Sequence, residues 1–196
     1  MEINIEIIVK KVKPIYLDSV FYTHTIWSHV LRVSELAKGF AKKMGHDWFI
    51  AEAGGLLHDL GAAKYGQKDH HITGAQEATA VLLECECPLA LIGPIVSSVY
   101  SNRGSQKIVF QTPEAKYVAA ADALDHFANI EELWKVQVED LGILEIEVYR
   151  TLSEKLKRDW EKIDPEIKVF LDRTYEQAQE ELLKIVSKKR KSGKKP

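Results

Sequence analysis

A few positions in this sequence carry side chains that could do chemistry together. His58 and Asp59 stand side by side in AGGLLHDLG, where Leu56, Leu57 and Leu60 mark a buried neighbourhood. An ionised carboxylate buried without a partner costs several kcal/mol, so an adjoining imidazole and carboxylate there are best explained by a shared cation. Asp122 lies in YVAAADALDHF among Ala119, Ala120, Ala121 and Ala123. Counted by threes and fours it shares a face with Ala115, Val118, Ala119 and Asp125, and two carboxylates on a small-residue face call for a cation or a donor nearby. His29 falls on the apolar stripe of residues 26–44. Taken singly, each of these positions reads as structural, since a lone histidine on such a face is ordinarily a hydrogen-bonded core residue. A second His-Asp pair, His46-Asp47, shows how little the dipeptide means by itself. It follows Gly45 and opens a helix, where Asp47 has a sufficient role as N-cap.

Taken together, His29, His58-Asp59 and Asp122 resemble the H…HD…D signature of the HD-domain superfamily of metal-dependent phosphohydrolases, in order and in approximate spacing. The flanking stretches WSHVLRV, AGGLLHDLG and PEAKYVAAADALDHF agree with it. The likeness runs from Val20 to Phe127 and leaves the C-terminal third unexplained. It implies a helical bundle with one divalent transition metal held by His29, His58, Asp59 and Asp122. Two imidazoles and two carboxylates suit Mn²⁺, Fe²⁺, Co²⁺, Ni²⁺ or Zn²⁺ better than Ca²⁺. Four protein ligands on an octahedral ion leave room for a water and a phosphate oxygen, and the implied chemistry is in-line attack on phosphorus by water the metal has acidified. Asp59 would also orient or deprotonate that water. The implied substrate is a small phosphorylated metabolite, a nucleotide foremost, cleaved as a phosphomonoester. A phosphodiesterase or pyrophosphohydrolase acting on nucleotides is one alternative; a regulatory module that binds metal and nucleotide without turnover is another.

Arg32 follows His29 by one turn and could offer its planar fork to a substrate phosphate, the alternative being an ordinary surface arginine. Lys64, Arg103 and Lys107 are further phosphate candidates on loops expected to flank the site. Asp125 is expected to orient a ligand or bond neighbouring backbone rather than to bind metal. In KDHHITGAQEA, His70 and His71 precede a helix start, where similar proteins place a histidine that serves a second metal or the substrate. A second metal in such proteins generally also uses a histidine in the segment that here reads VYSNRGS, and Asn102 stands there instead. That departure argues against a tight two-metal centre, and with it against the two-metal phosphodiesterase and di-iron oxygenase branches. His71 is then expected to position substrate or protonate the leaving group, with His70 as a substrate contact. The plain alternative is a pair of solvent-exposed loop histidines.

The elements that must position these residues are helices, because a 3.6-residue apolar period dominates and no convincing strand alternation occurs. The pattern predicts helices over 26–44, closed by Gly45, and over 48–60, capped by Asp47 and closed by Gly61 at C′. A Thr73–Gln76 capping box opens another over 74–86, and one over 89–100 carries Pro94 near its start. Thr112 and Pro113 open a helix over 113–127, after an ordered loop at 101–110. Gly54-Gly55 costs a helix roughly 2 kcal/mol of propensity and marks where another helix passes close. Two charge-rich helical stretches follow, 130–163 with an interruption at Gly142, and 165–189. The expected architecture is all-α: an HD-domain bundle over 1–128, a helical extension over 129–187 packed on it, and a basic flexible tail over 188–196.

Composition narrows the function classes. The 196 residues are 45% hydrophobic and 29% charged, enough for a core and a soluble surface. No apolar run approaches the roughly 18 residues of a membrane span, and residues 1–8 lack the layout of a secretory signal. Cys85 and Cys87, the two cysteines, point to a reducing, cytoplasmic setting. The net charge of −2 hides an asymmetry: SKKRKSGKKP at the C-terminus carries six basic residues, which leaves −8 for the rest. The acidic body argues against a nucleic-acid partner, and the tail reads as a solvated end. The long C-terminal helices suit a homodimer interface.

Overall fold

In the computed structural model, which describes residues 4–22, 25–104 and 108–192, every regular element is helical. A helix the periodicity did not predict comes first: α1 (Ile5–Leu17), capped by Asn4, whose side chain accepts from the Glu6 amide at 3.0 Å. Its inward positions Ile8, Val12 and Tyr16 are spaced by four and buried, and Tyr16 donates to the Leu56 carbonyl at 2.8 Å. α2 (Ile26–Met44) closes on Gly45 in the left-handed region, as its sequence predicts. α3 (Trp48–Leu57) starts at the expected Asp47 cap and is buried from Phe49 to its end. Its two glycines admit close neighbours. A Cβ on Gly55 would stand 2.7 Å from Ser34 Cα of α2, and one on Gly54 would stand 2.9 Å from Ser98 Cβ.

The helix predicted over 48–60 is in fact two. α3 ends at Leu57, His58 and Asp59 form a corner, and α4 (Leu60–Tyr65) resumes beyond it. Gly61 is therefore inside a helix and not a C′ cap. What demands glycine there is the next helix, α5 (His70–Glu84), since a Cβ would lie 2.3 Å from the His70 carbonyl oxygen. α5 begins at His70 rather than at Gly74, following Asp69 at φ +52, so Thr73 lies within it and caps nothing. α6 (Leu89–Ser101) contains Pro94 near its start, and α7 (Pro113–Ala128) begins on the Thr112–Pro113 pair as expected.

The stretch 130–163 divides into α8 (Ile130–Lys135), a π-helical turn over Val136–Asp140 and α9 (Glu145–Lys162), with Gly142 at φ +64 between the last two. α10 (Pro165–Lys168) and α11 (Thr174–Ser192) follow. Lys188 and Lys189 of the basic tail continue α11, and residues 193–196 lie outside the described residues. Two apolar clusters fill the molecule. One gathers α1, α3, α4, α5 and α6 around Leu56, Leu57, Leu60, Leu82 and Ile95. The other joins α2 and α7 to α8, α9 and α11 around Val33, Val118, Trp134, Leu156 and Leu182. Leu152 and Leu156 of α9 are wholly buried, each worth about 1.5–3 kcal/mol, so α9 is fixed against α7. Among the described residues no helix is long and apolar enough to cross a membrane.

Candidate metal centre

The site forms where α2, the α3–α4 corner, α7 and the end of α9 meet. The corner presents His58 and Asp59 together, which an unbroken helix would have splayed about 100° apart. On α7, Asp122, Asp125 and His126 fall at i, i+3 and i+4, on the one face turned toward α2 and α9. His29 reaches in from the first turn of α2.

Three imidazoles there are oriented in the same manner. His58 Nδ1 donates to the Gly55 carbonyl at 2.7 Å, His29 Nδ1 to Asp125 Oδ2 at 2.7 Å, and His126 Nδ1 to Asp159 Oδ2 at 2.9 Å. With each Nδ1 committed as a donor, Nε2 is the nitrogen each ring turns to the centre, and in the neutral ring it carries the lone pair. All three Nε2 atoms crowd Asp122 Oδ1, at 3.4 Å from His29, 3.7 Å from His58 and 3.3 Å from His126. Yet Asp122 Oδ1 is buried and has no hydrogen-bond partner among the described residues. Asp59 Oδ2 lies 3.5 Å from His58 Nε2 and 3.7 Å from His29 Nε2, and the two Nε2 atoms are 3.2 Å apart. Groups of this kind converge only around positive charge, a proton on His29 in the metal-free protein or a cation in its place.

The electrostatics carry the same demand. Burial alone would push the His29 pKa down, but the carboxylates of Asp122, Asp125 and Asp59 outweigh it and raise the imidazole to about 10. His58 goes the other way, because burial outweighs the pull of Asp59 and Asp122. Burial would raise the Asp122 carboxyl; His126, Lys162, His29 and His58 overcome this and hold it well below the usual range. Lys162 Nζ donates to Asp122 Oδ2 at 2.6 Å, and Asn102 Nδ2 donates to the same oxygen at 3.2 Å.

These groups, His58 excepted, line a cavity of about 300 Å³, at the small end for a metabolite pocket. Asp59 is the most accessible of the four expected ligands there, with 23% of its side chain exposed against 12% or less for the others. Of the expected substrate residues, Arg32, His70 and Arg103 line the cavity, whereas Lys64 and His71 do not. Arg32 is committed: its Nε and Nη2 hold both oxygens of Asp125 at 2.5 and 3.1 Å, and Nη2 reaches Glu132 at 2.7 Å. Lys64 is held by Glu77 at 2.6 Å outside the cavity. His71 is buried rather than loop-exposed, and its Nδ1 accepts from Arg103 Nη1 at 2.7 Å. Lys107 lies outside the described residues.

Several cavity residues have no counterpart in the sequence reading. His126 carried a readable signal, one turn after Asp122 on the same buried face. Lys155, Arg158, Asp159 and Lys162, all on α9, carried none, because a charge-rich amphipathic helix looks the same whether its polar face meets water or a cavity. Asn102 stands inside the site and bonds Asp122, so the position is polar and engaged although it is not histidine.

The HD domain family profile matches residues 26–126, so α2 to α6 and α7 as far as His126 lie within the match and α9 beyond it. Ribonuclease Y of Pseudothermotoga lettingae is 34% identical over 103 residues, which cover 53% of this chain and 19% of that protein. Ribonuclease Y of Thermosipho melanesiensis is likewise 34% identical over 103 residues, with the same coverage. That of Aliarcobacter butzleri is 26% identical over 137 residues, covering 63% of this chain and 25% of its own. The chain thus spans about a fifth to a quarter of the length of these curated relatives. No solved structure matches it.

Proposed function

The chain belongs to the HD domain family, and from that premise we propose that it is a metal-dependent phosphohydrolase whose cation is held by His29, His58, Asp59 and Asp122. The observation that carries this reading is Asp122 Oδ1, buried with no hydrogen-bond partner among the described residues while three imidazole Nε2 atoms converge beside it. The charge balance supports a single divalent ion. Besides the imidazoles, Asp59, Asp122, Asp125, Glu132 and Asp159 face Arg32, Lys155 and Lys162 within ion-pair distance, an excess of two negative charges among the described residues once His29 has given up its proton. The mixed nitrogen and oxygen donor set suits Mn²⁺, Fe²⁺, Co²⁺, Ni²⁺ or Zn²⁺.

A divalent cation at this place supplies positive charge to a phosphate oxygen and lowers the pKa of a neighbouring water. The chain's own residues do the rest. Asp59, the most accessible carboxylate of the set, orients the attacking water and takes its proton. Arg158 lines the cavity with no ion-pair partner among the described residues and, with Arg103, offers the phosphate a planar fork. His71 holds Arg103 in place, and His70, on the cavity wall, protonates the leaving group. Arg32 serves differently from the phosphate contact its sequence position suggested, by fixing Asp125 and through it His29.

Small phosphomonoesters, nucleotides foremost, fit a cavity of this volume. A second reading is favoured by the relatives, which are ribonucleases by name: a phosphodiesterase acting on nucleic acid, with Arg103, Lys155 and Arg158 meeting backbone phosphates. It runs against the expectation, drawn from the acidic body, that nucleic acid is no partner. Metal-loaded protein assayed on p-nitrophenyl phosphate, bis-p-nitrophenyl phosphate, nucleoside monophosphates and single-stranded RNA separates the two. Turnover of the monoesters, abolished in Asp59→Asn, is the expected result. Turnover of diesters and RNA alone selects the second reading, and a metal-loaded protein inert to every substrate would be a binding module instead.

A further inference from the structure

The geometry points to His126 as a further metal ligand, making a centre of three imidazoles and two carboxylates whose third imidazole is oriented from outside the family's matched region. This rests on the reading that His29, His58, Asp59 and Asp122 hold a cation. His126 sits one turn beyond Asp122 with its side chain 11% exposed. Its ring lies parallel to that of His29, at 7° and a centroid separation of 5.1 Å, and both Nε2 atoms stand within 3.4 Å of Asp122 Oδ1. Among the described residues, donor atoms of His29, Asp122 and His126 all lie within 4.8 Å of one another, as do those of His29, His58 and Asp59. His29 belongs to both groups, and His58 Nε2 stands 3.7 Å from Asp122 Oδ1, so the two groups adjoin.

Two features separate His126 from a histidine that merely pairs with Asp122. Its Nε2 is 3.3 Å from Asp122 Oδ1, yet that oxygen has no hydrogen bond, so the nitrogen points beside the oxygen rather than at it. Its Nδ1 donates to a carboxylate, Asp159, in the same way that His29 donates to Asp125. A carboxylate behind an imidazole fixes its tautomer and raises the basicity of the free nitrogen, which is the usual arrangement behind a metal-bound histidine. Asp159 is itself buried and held by Lys155 at 3.2 Å and Lys162 at 3.5 Å, so it has no freedom to serve elsewhere. The helix that supplies it, α9, is thereby a part of the centre and not only a cover.

Proton NMR of the Co²⁺-loaded wild-type chain tests this without any substitution. Each ligating imidazole with a protonated Nδ1 gives one strongly shifted, solvent-exchangeable signal, and three are expected. Two signals, from a chain that has taken up one Co²⁺, would overturn the inference and leave the four-ligand reading standing. A chain that takes up no Co²⁺ would bring down both. In titrations followed by visible absorption, His126→Gln and Asp159→Asn should each weaken Co²⁺ binding at least about 10-fold, and His126→Gln should also change the absorption envelope. Unchanged affinity and spectrum in a folded His126→Gln protein would likewise refute the assignment.

Discussion

Lys162 Nζ lies 2.6 Å from Oδ2 of Asp122, while Oδ1 of the same carboxylate has no hydrogen-bond partner among the described residues. One oxygen is thus satisfied by a residue of the C-terminal third and the other is reserved. Breaking this buried pair from the lysine side takes the ammonium away from Asp122 and leaves Asp159 to Lys155 and His126, a loss of about 3–5 kcal/mol in comparable cases. Lys162→Met is therefore expected to unfold at markedly lower urea concentration than wild type when free of metal. Because its excess of negative charge is larger, it should gain more stability than wild type on adding Co²⁺, and thermal unfolding with and without the metal reads both effects.

Asp122 is the member that all three imidazoles share. Asp122→Asn should retain the fold and lose the metal, seen as absence of transition metal by elemental analysis of purified protein against about one per chain in wild type. Equal metal content in the two proteins would count against the centre as described.

Arg32 and Arg158 both line the cavity and should behave oppositely. Arg158→Ala is expected to raise KM about 10-fold with little change in kcat, an energy of about 1.4 kcal/mol. Arg32→Gln should leave KM nearly unchanged and instead weaken metal binding, since it frees Asp125 to turn away from His29. A KM effect at Arg32 with unaltered metal affinity would reverse the two roles.

The proton on His29 predicts a pH dependence of the metal-free protein. Its pKa is raised from 6.5 to about 10, so its contribution to stability is complete below the unfolded value and is lost as pH rises through the folded one. Metal-free protein should accordingly become less stable between about pH 7 and pH 10, and His29→Gln should flatten that decline. Metal uptake at pH 8 should displace this proton, which calorimetry in buffers of different ionisation enthalpy detects as proton release.

Gly61 is where α4 and α5 touch. Gly61→Ala would put a Cβ 2.3 Å from the His70 carbonyl oxygen and is expected to cost at least about 1–3 kcal/mol, read as a lowered Tm. Gly39 faces open space within α2, and Gly39→Ala should raise Tm by the helix-propensity gain of about 0.5–1 kcal/mol.

What the sequence made readable follows from where its signals are local. The caps at Asp47 and Thr112 and the closing Gly45 are written in adjacent residues, and the helices begin or end there. The His58-Asp59 corner was misread as helix interior, because the leucines on both sides continue the apolar period across it. Gly61 and Thr73 carried the residue types of caps, but their neighbours in space, not in sequence, decide their roles. The contribution of α9 to the centre was not readable at all. Asp159 lies 33 positions from His126 in the chain, and Lys162 lies 40 positions from Asp122, so only the packing of Leu152 and Leu156 brings them together.

That separation along the chain also sets an order of assembly during synthesis. A growing polypeptide exposes His29, His58, Asp59, Asp122 and His126 before the ribosome has added Asp159 and Lys162. A cation captured at that stage would be held by donors whose outer support is still unmade, and it could exchange with the surrounding pool. Arrival of α9 then locks the tautomer of His126 and covers the second oxygen of Asp122.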